Sequence, residues 1–151
     1  MARSTHILVA EDNPQEIFVY EHAFKRIGIS SYTFVNHGDE AIRYLQANGM
    51  YADRTKFPFP DWLLIDLRLP RTDGFDVLDW LYKHQECRVI PAVAFSDSDR
   101  DQDVRRAYEL GANAYFLKPT GIQQMVDTLA LVDHFWKVAK SPIVNGTERC
   151  G

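Results

Sequence analysis

Four short apolar runs in this chain of 151 residues each end on a residue able to handle phosphate or a divalent cation. His6 to Ala10 runs into Glu11-Asp12, Trp62 to Ile65 into Asp66, Val93 to Phe95 into Ser96, and Ala114 to Leu117 into Lys118. Runs this short, rich in β-branched and aromatic residues and separated by helix-like stretches, read as strands of a parallel sheet buried on both faces. Ligands of such sheets bind in the crevice beyond the carboxyl ends of the strands. Three acids, a hydroxyl and a lysine would therefore meet at one edge. Two like charges about 4 Å apart repel by roughly 4 kcal/mol at an effective dielectric of 20. Glu11, Asp12 and Asp66 thus need either a cation or a raised pKa, and carboxylate oxygens with a backbone carbonyl and water suit Mg²⁺.

Each of these residues also has a plainer reading. Glu11-Asp12 could be an acidic helix start favoured by the helix dipole. Lys118 could be a salt-bridge partner of the acids, a role compatible with holding a phosphoryl oxygen as a point charge. A cis peptide before Pro119 would aim that lysine inward. Ser96 could cap the following helix or bond a phosphoryl oxygen. Tyr115 could be a packed core aromatic or a switch.

The elements that must position these side chains follow from pattern. Asn13-Pro14 supplies an N-cap and an N1 proline, and Ile17, Tyr20, Phe24 and Ile27 follow at helical spacing to Gly28. Ser31 to Asn36 reads as the second strand, and Gly38-Asp39 opens a helix carrying Ala41, Ile42 and Leu45. Residues 50–60, with Pro58 and Pro60, read as an irregular connection. After the third strand, Trp62 to Asp66, Gly74 precedes a helix with Phe75, Leu78, Leu81 and Tyr82 on one face. Val89 to Ser96 is the fourth strand, followed by a helix through Val104, Ala107 and Tyr108 to Gly111. Ala114 to Lys118 is the fifth strand. Ile122 to about Lys140 is the last helix, with a core stripe of Ile122, Met125, Val126, Leu129, Val132 and Trp136. Five βα units with right-handed crossovers give a flavodoxin-like doubly wound (βα)5 sandwich around a five-stranded parallel sheet. The expected organisation is one domain over residues 1–140 and a mobile tail over 141–151.

Composition narrows the function. With 46% hydrophobic and 25% charged residues the chain reads as an ordinary soluble domain, and its net charge of −4 gives no basic face for nucleic acid. No run approaches a membrane span, and the N-terminus lacks the apolar core of a secretory signal, so a cytoplasmic location is expected. Cys87 and Cys150 lack a metal-ligand spacing and are expected to be free thiols. The five histidines are scattered and suggest no metal site. Leu131, Phe135 and Val138 lie beside the core stripe of the last helix. They read either as a wider core stripe or as the face of a two-fold dimer built with the fifth strand.

Glu11-Asp12-Asn13-Pro14, the run Asp66-Leu-Arg-Leu-Pro-Arg-Thr-Asp-Gly74, Ser96 and Lys118-Pro119 together resemble the motif set of bacterial response-regulator receiver domains, over residues 6 to about 137. The long connection after the second helix, Gly111 to Pro119, and Asp133 to Trp136 resemble the stand-alone regulators paired with phytochrome-type histidine kinases. The resemblance implies that Asp66 is the phosphoacceptor, taking a phosphoryl group from a sensor histidine kinase. It implies Mg²⁺ held by Asp12, Asp66 and the backbone carbonyl of Arg68, with Glu11 acting through a bound water. Ser96 and Lys118 would hold phosphoryl oxygens, and Tyr115 would turn into space that Ser96 vacates. Only slow self-phosphorylation and autodephosphorylation are expected, as for a switch and not an enzyme. A tail too short for an output domain directs signalling to a downstream phosphotransfer or effector protein, or to a homodimer.

Three positions depart from the usual pattern: Asp97 adds negative charge beside Ser96, while Arg68 and Ser98 flank the approach of hydrolytic water. They bear on phosphorylation lifetime. An aspartyl-phosphate phosphatase of the haloacid-dehalogenase type would want a second Asp where Arg68 stands, and a non-phosphorylated pseudo-receiver would act as a binding module alone.

Overall fold

The computed structural model describes residues 5–140. Five parallel strands form one sheet: β1 (Ile7–Ala10), β2 (Tyr32–Val35), β3 (Trp62–Asp66), β4 (Ala92–Ser96) and β5 (Ala114–Leu117), in the order β2-β1-β3-β4-β5. Five helices connect and cover them: α1 (Pro14–Ile27), α2 (Gly38–Gln46), α3 (Gly74–Lys83), α4 (Asp101–Glu109) and α5 (Gly121–Val138). Alternation along the strands splits the interior into two layers. Ile7, Val9, Trp62, Leu64, Val93 and Phe95 face α1 and α5, while Leu8, Ala10, Leu63, Ile65, Ala92 and Ala94 face α2, α3 and α4. The doubly wound sandwich expected from the sequence is the observed architecture. The topology switches direction between β1 and β3, which puts a crevice beyond their carboxyl ends.

The helix starts follow the local sequence. Asn13 accepts a hydrogen bond from the Gln15 amide at 2.9 Å, with Pro14 in the first turn. Asp73 and Asp76 form a capping box that starts α3 immediately after the Asp66 loop.

Several boundaries and core positions differ from expectation. Val89 and Ile90 do not join β4. The Ile90 amide is spent on the Cys87 carbonyl and Pro91 has no N–H, so the ladder begins at Ala92. The connection after α2 contains a 3₁₀ turn at Gly49–Ala52, which buries Tyr51 against Tyr44 and Phe57. Tyr82, on the face of α3 that carries Leu78 and Leu81, is 49% exposed with the Arg88 guanidinium over its ring, and Tyr108 of α4 is also 49% exposed. Cys87 is buried and disulfide-bonded, which corrects the expectation of a free thiol there. Cys150 and the expected tail at 141–151 lie outside the described residues. Among the described residues no helix is long and apolar enough to cross a membrane.

One close approach ties α2 to the loop that follows Asp66. The Gly38 amide donates to the Thr72 carbonyl at 2.9 Å, and a Cβ at position 38 would lie 2.0 Å from that same oxygen. Backbone cannot yield as a flexible side chain would. Gly38→Ala is therefore expected to cost about 1–3 kcal/mol of stability, read as a lowered urea midpoint with an unchanged m-value.

Candidate functional site

The carboxyl ends of β1, β3, β4 and β5 deliver Glu11, Asp66, Ser96 and Lys118 to one rim, as the sequence predicts. Glu11, Asp66 and Ser96 are buried, Lys118 is nearly so, and Asp12 at the start of the β1–α1 connection is exposed. Carboxylate oxygens of Glu11, Asp12 and Asp66 all lie within 4.8 Å of one another. The Lys118 ammonium donates to Asp66 Oδ2 at 2.9 Å and stands 3.2 Å from Glu11 Oε1. The second contact is an ion pair without hydrogen-bond alignment, which leaves Glu11 Oε1 buried with no hydrogen-bond partner. The other Glu11 oxygen accepts from the amides of Asp12 and Asn13 at 3.1 and 3.2 Å. Asp66 Oδ1 accepts from the Arg68 amide at 2.9 Å, so each Asp66 oxygen has a donor.

Burial, reinforced by the charge of Asp66 and opposed by Lys118, pushes the Glu11 carboxyl up to about 7. Burial alone would lower the Lys118 ammonium, but the hydrogen bond and charge of Asp66, with Glu11 behind them, hold it above the usual lysine range. These are the marks of an acid cluster with one cation too few. The donor set fits a hard, oxygen-seeking divalent ion, and Glu11 Oε1, which has no hydrogen-bond partner, keeps a lone pair free for one.

Lys118 reaches inward without the cis bond that its proline neighbour suggested: all peptides among the described residues are trans. The Lys118 amide extends the β4–β5 ladder to the Ser96 carbonyl at 2.8 Å, and this fixes the lysine beside Ser96. Ser96 does not cap α4, which has no side-chain cap at all. Its Oγ instead accepts from the Ser98 amide at 3.1 Å. The carbonyl of the same Ser98 accepts the Tyr115 hydroxyl at 2.7 Å. One residue thus links the rim hydroxyl to the half-buried tyrosine. The sequence singled out both ends of this link but not Ser98 as its middle, because a backbone carbonyl carries no side-chain signal. Asp97 and Arg68 are exposed at the mouth.

This geometry belongs to a known family. The response regulator receiver domain family matches residues 7–130. The chain is a member of the response regulator receiver family. Receiver domains are signalling switches that bind Mg²⁺ or Mn²⁺ at an acidic pocket and pair with histidine kinases. Among similar proteins, the probable methanogenesis regulatory protein FilR2 of Methanothrix harundinacea is 31% identical over 131 residues, covering 86% of this chain and 82% of that one. The response regulator RPA3017, in red light signaling of R. palustris, superposes with a TM-score of 0.86 at 33% identity, over 92% of this chain and 99% of that one. The phosphorylated cyanobacterial phytochrome response regulator RcpA superposes with a TM-score of 0.84 at 29% identity, over 93% and 100%.

Two buried polar residues, one beneath the receiver site and one at the opposite end of β1, have surroundings that the sequence reading did not anticipate. Tyr20 is fully buried with its hydroxyl unpartnered; burial, then the charges of Glu11 and Asp66, keep it a neutral phenol. His6 is buried and bonded to Ser31 Oγ at 2.7 Å and to the Tyr44 hydroxyl at 3.0 Å, so this histidine fastens β1 to β2 and α2. Both sit at positions where an aliphatic residue would satisfy the same pattern, and periodicity alone does not separate the two cases.

Proposed function

We propose that this chain is a phosphoacceptor switch that takes a phosphoryl group from a sensor histidine kinase onto Asp66. The observation that carries the reading is the pairing of both Asp66 oxygens, one with Lys118 Nζ and one with the Arg68 amide, beside the orphaned Glu11 oxygen. A carboxylate held in this way by two donors is fixed in direction. Its oxygen attacks phosphorus, the bond between phosphorus and the kinase imidazole nitrogen breaks, and an acyl phosphate forms on Asp66 as the imidazole leaves. Glu11, Asp12, Asp66 and the Arg68 carbonyl are the groups that would hold Mg²⁺, which when bound supplies positive charge to offset that of the incoming phosphoryl group. Lys118 neutralises a phosphoryl oxygen from the sheet side, and the Ser96 hydroxyl donates to another. Hydrolysis by water, which breaks the new phosphorus–oxygen bond and regenerates the carboxylate, resets the switch.

Donation by Ser96 draws its oxygen from the Ser98 amide, and the Ser98 carbonyl shifts with it. Tyr115, bonded to that carbonyl, transmits the movement to the face formed by α4, β5 and α5. Leu131, Phe135 and Val138 on that side are 62%, 58% and 72% exposed, which supports a homodimer face over a wider core stripe. The red light and phytochrome settings of RPA3017 and RcpA support a phytochrome-type kinase as the donor, and a cytoplasmic location suits such a partner.

Incubation with Mg²⁺ and acetyl phosphate is the direct test. Intact-mass spectrometry should show a gain of one phosphoryl group, sensitive to EDTA. No gain with either acetyl phosphate or a phosphorylated kinase would leave the chain as a non-phosphorylated binding module.

A further inference from the structure

Every polar group of Ser98 is engaged, and its hydroxyl is bonded to the start of α4 and not to the rim. The Ser98 amide donates to Ser96 Oγ at 3.1 Å, and the Ser98 carbonyl accepts the Tyr115 hydroxyl at 2.7 Å. Its Oγ accepts from the Arg100 amide at 3.2 Å and donates to Asp103 Oδ2 at 2.6 Å. The last contact has the length of a hydroxyl given to a carboxylate, and such bonds are roughly twice as strong as neutral ones. It arises from the way α4 begins. Arg100, the N-cap, offers no side-chain bond, and Asp103 holds the third helical position, where an acid ordinarily reaches back to the N-cap amide. Here the Ser98 hydroxyl stands between that amide and the acid, bonded to each.

We propose that Asp103 is a positioning residue for phosphoryl uptake: by holding the Ser98 hydroxyl on α4 it keeps Ser96 in its resting place and slows the reaction. The inference rests on the reading of Asp66 as the phosphoacceptor. In that reading Ser96 draws away from the Ser98 amide, and the Ser98 carbonyl shifts with it. Asp103 cannot follow. Ala107, one turn further along the same side of α4, is fully buried, and the Tyr108 hydroxyl accepts from the Tyr115 amide at 3.2 Å. The body of the helix is thereby fastened to the core and to β5. Movement of Ser98 therefore parts its hydroxyl from the Asp103 carboxylate. A contact made at rest and lost in the switched state favours rest, and removing it shifts the population the other way. A hydroxyl has a single proton to give, and Ser98 gives it to Asp103; the neighbouring Asp97, Asp99 and Asp101 supply charge without this bond.

The test follows the rate of phosphoryl uptake by the full chain, using Mg²⁺, excess acetyl phosphate and intact-mass spectrometry. Asp103→Ala should take up the group roughly fivefold faster than the parent chain, the ratio expected for one lost hydrogen bond. Asp103→Asn keeps a neutral acceptor for the hydroxyl and should fall between the two. Asp101→Ala removes an equal charge from the same helix end and should react at the parent rate. Ser98→Ala removes no charge and should match D103A. The double variant S98A/D103A should be no faster than either single one, because both cut the same bond. A role confined to helix stability would leave all these rates unchanged. In the unphosphorylated chain labelled with ¹⁵N, the Ser98 amide of D103A should exchange about tenfold faster than that of the parent. Uptake by D103A at the parent rate, or an equal acceleration by D101A, would overturn the inference and leave the phosphoacceptor reading standing. No uptake by the parent chain would overturn both.

Discussion

Asp66→Asn is expected to abolish phosphoryl uptake completely while leaving the resting fold at least as stable as the parent chain. The two effects separate because Asp66 has two roles in the proposed switch. As the proposed nucleophile it has no substitute: Glu11 is buried with one oxygen held by backbone amides, and Asp12 lacks the lysine contact. As a charge, however, Asp66 is an electrostatic burden on Glu11, since it adds to burial in pushing that carboxyl up to about 7. An amide at position 66 keeps an oxygen for Lys118 and removes this repulsion, so the Glu11 carboxyl should fall toward its ordinary range.

The pH dependence follows with a definite sign. A folded-state pKa raised from 4.5 to about 7 means that the native state binds more protons than the unfolded chain between those values. Metal-free stability of the parent chain should therefore fall as pH rises through that window, and level off above it. Mg²⁺ affinity should climb over the same range, because the ion needs the deprotonated carboxylate. In D66N both slopes should flatten. Urea unfolding in EDTA from pH 5 to 8, with Mg²⁺ titrations alongside mass spectrometry, reads all of this. Phosphorylation persisting in D66N would place the acceptor elsewhere, and unfolding of D66N would show that Asp66 is chiefly structural.

Sequence revealed the site more completely than it revealed the switch, and the reason lies in how each is encoded. Glu11, Asp66, Ser96 and Lys118 are polar residues ending apolar runs. A parallel sheet brings every such terminus to one edge, so strand recognition alone assembled them. The fold was legible for the same reason: buried strands alternate their faces, and both layers were filled by residues already marked as apolar. What stayed hidden depends on backbone or on competition between similar residues. The Ser98 link uses an amide and a carbonyl. The Gly38–Thr72 approach is a steric fact between the start of α2 and a loop distant in sequence. Tyr82 and Tyr108 fit a helical stripe as well as Leu78 and Ala107 do, yet a phenol can lie at the boundary with its ring half exposed, and these two do, the Tyr108 hydroxyl accepting from the Tyr115 amide. The apolar residues Leu131, Phe135 and Val138 were ambiguous because α5 is long and its stripe is wide; only their exposure separates surface from core.

Lys118→Ala should produce the largest change in stability, and the loss should depend on pH and be repaired by metal. Among the described residues the ammonium is the one cation in contact with both buried carboxylates of the rim, at 2.9 Å from Asp66 and 3.2 Å from Glu11. Breaking a buried pair by removing one partner typically costs about 3–5 kcal/mol, because an uncompensated charge stays behind. Here the cluster has an escape that most pairs lack: Glu11 can take up a proton. Without Lys118, which opposes the rise in the Glu11 pKa, that proton will be held to still higher pH. At pH 5 the protonated carboxyl should limit the loss to about 1 kcal/mol, roughly a neutral hydrogen bond's worth. At pH 8 retention of the proton becomes costly, and the loss should approach about 3 kcal/mol. Mg²⁺ provides the missing positive charge, and at a hundred times its dissociation constant it adds about 2.7 kcal/mol to any state that binds it. Unfolding of K118A at pH 8 should therefore return close to the parent midpoint on adding Mg²⁺, while phosphoryl uptake stays impaired because no amine faces the phosphoryl oxygen. A K118A defect equal at pH 5 and pH 8, and indifferent to Mg²⁺, would mean that the lysine acts through packing of its methylene stem and not through its charge.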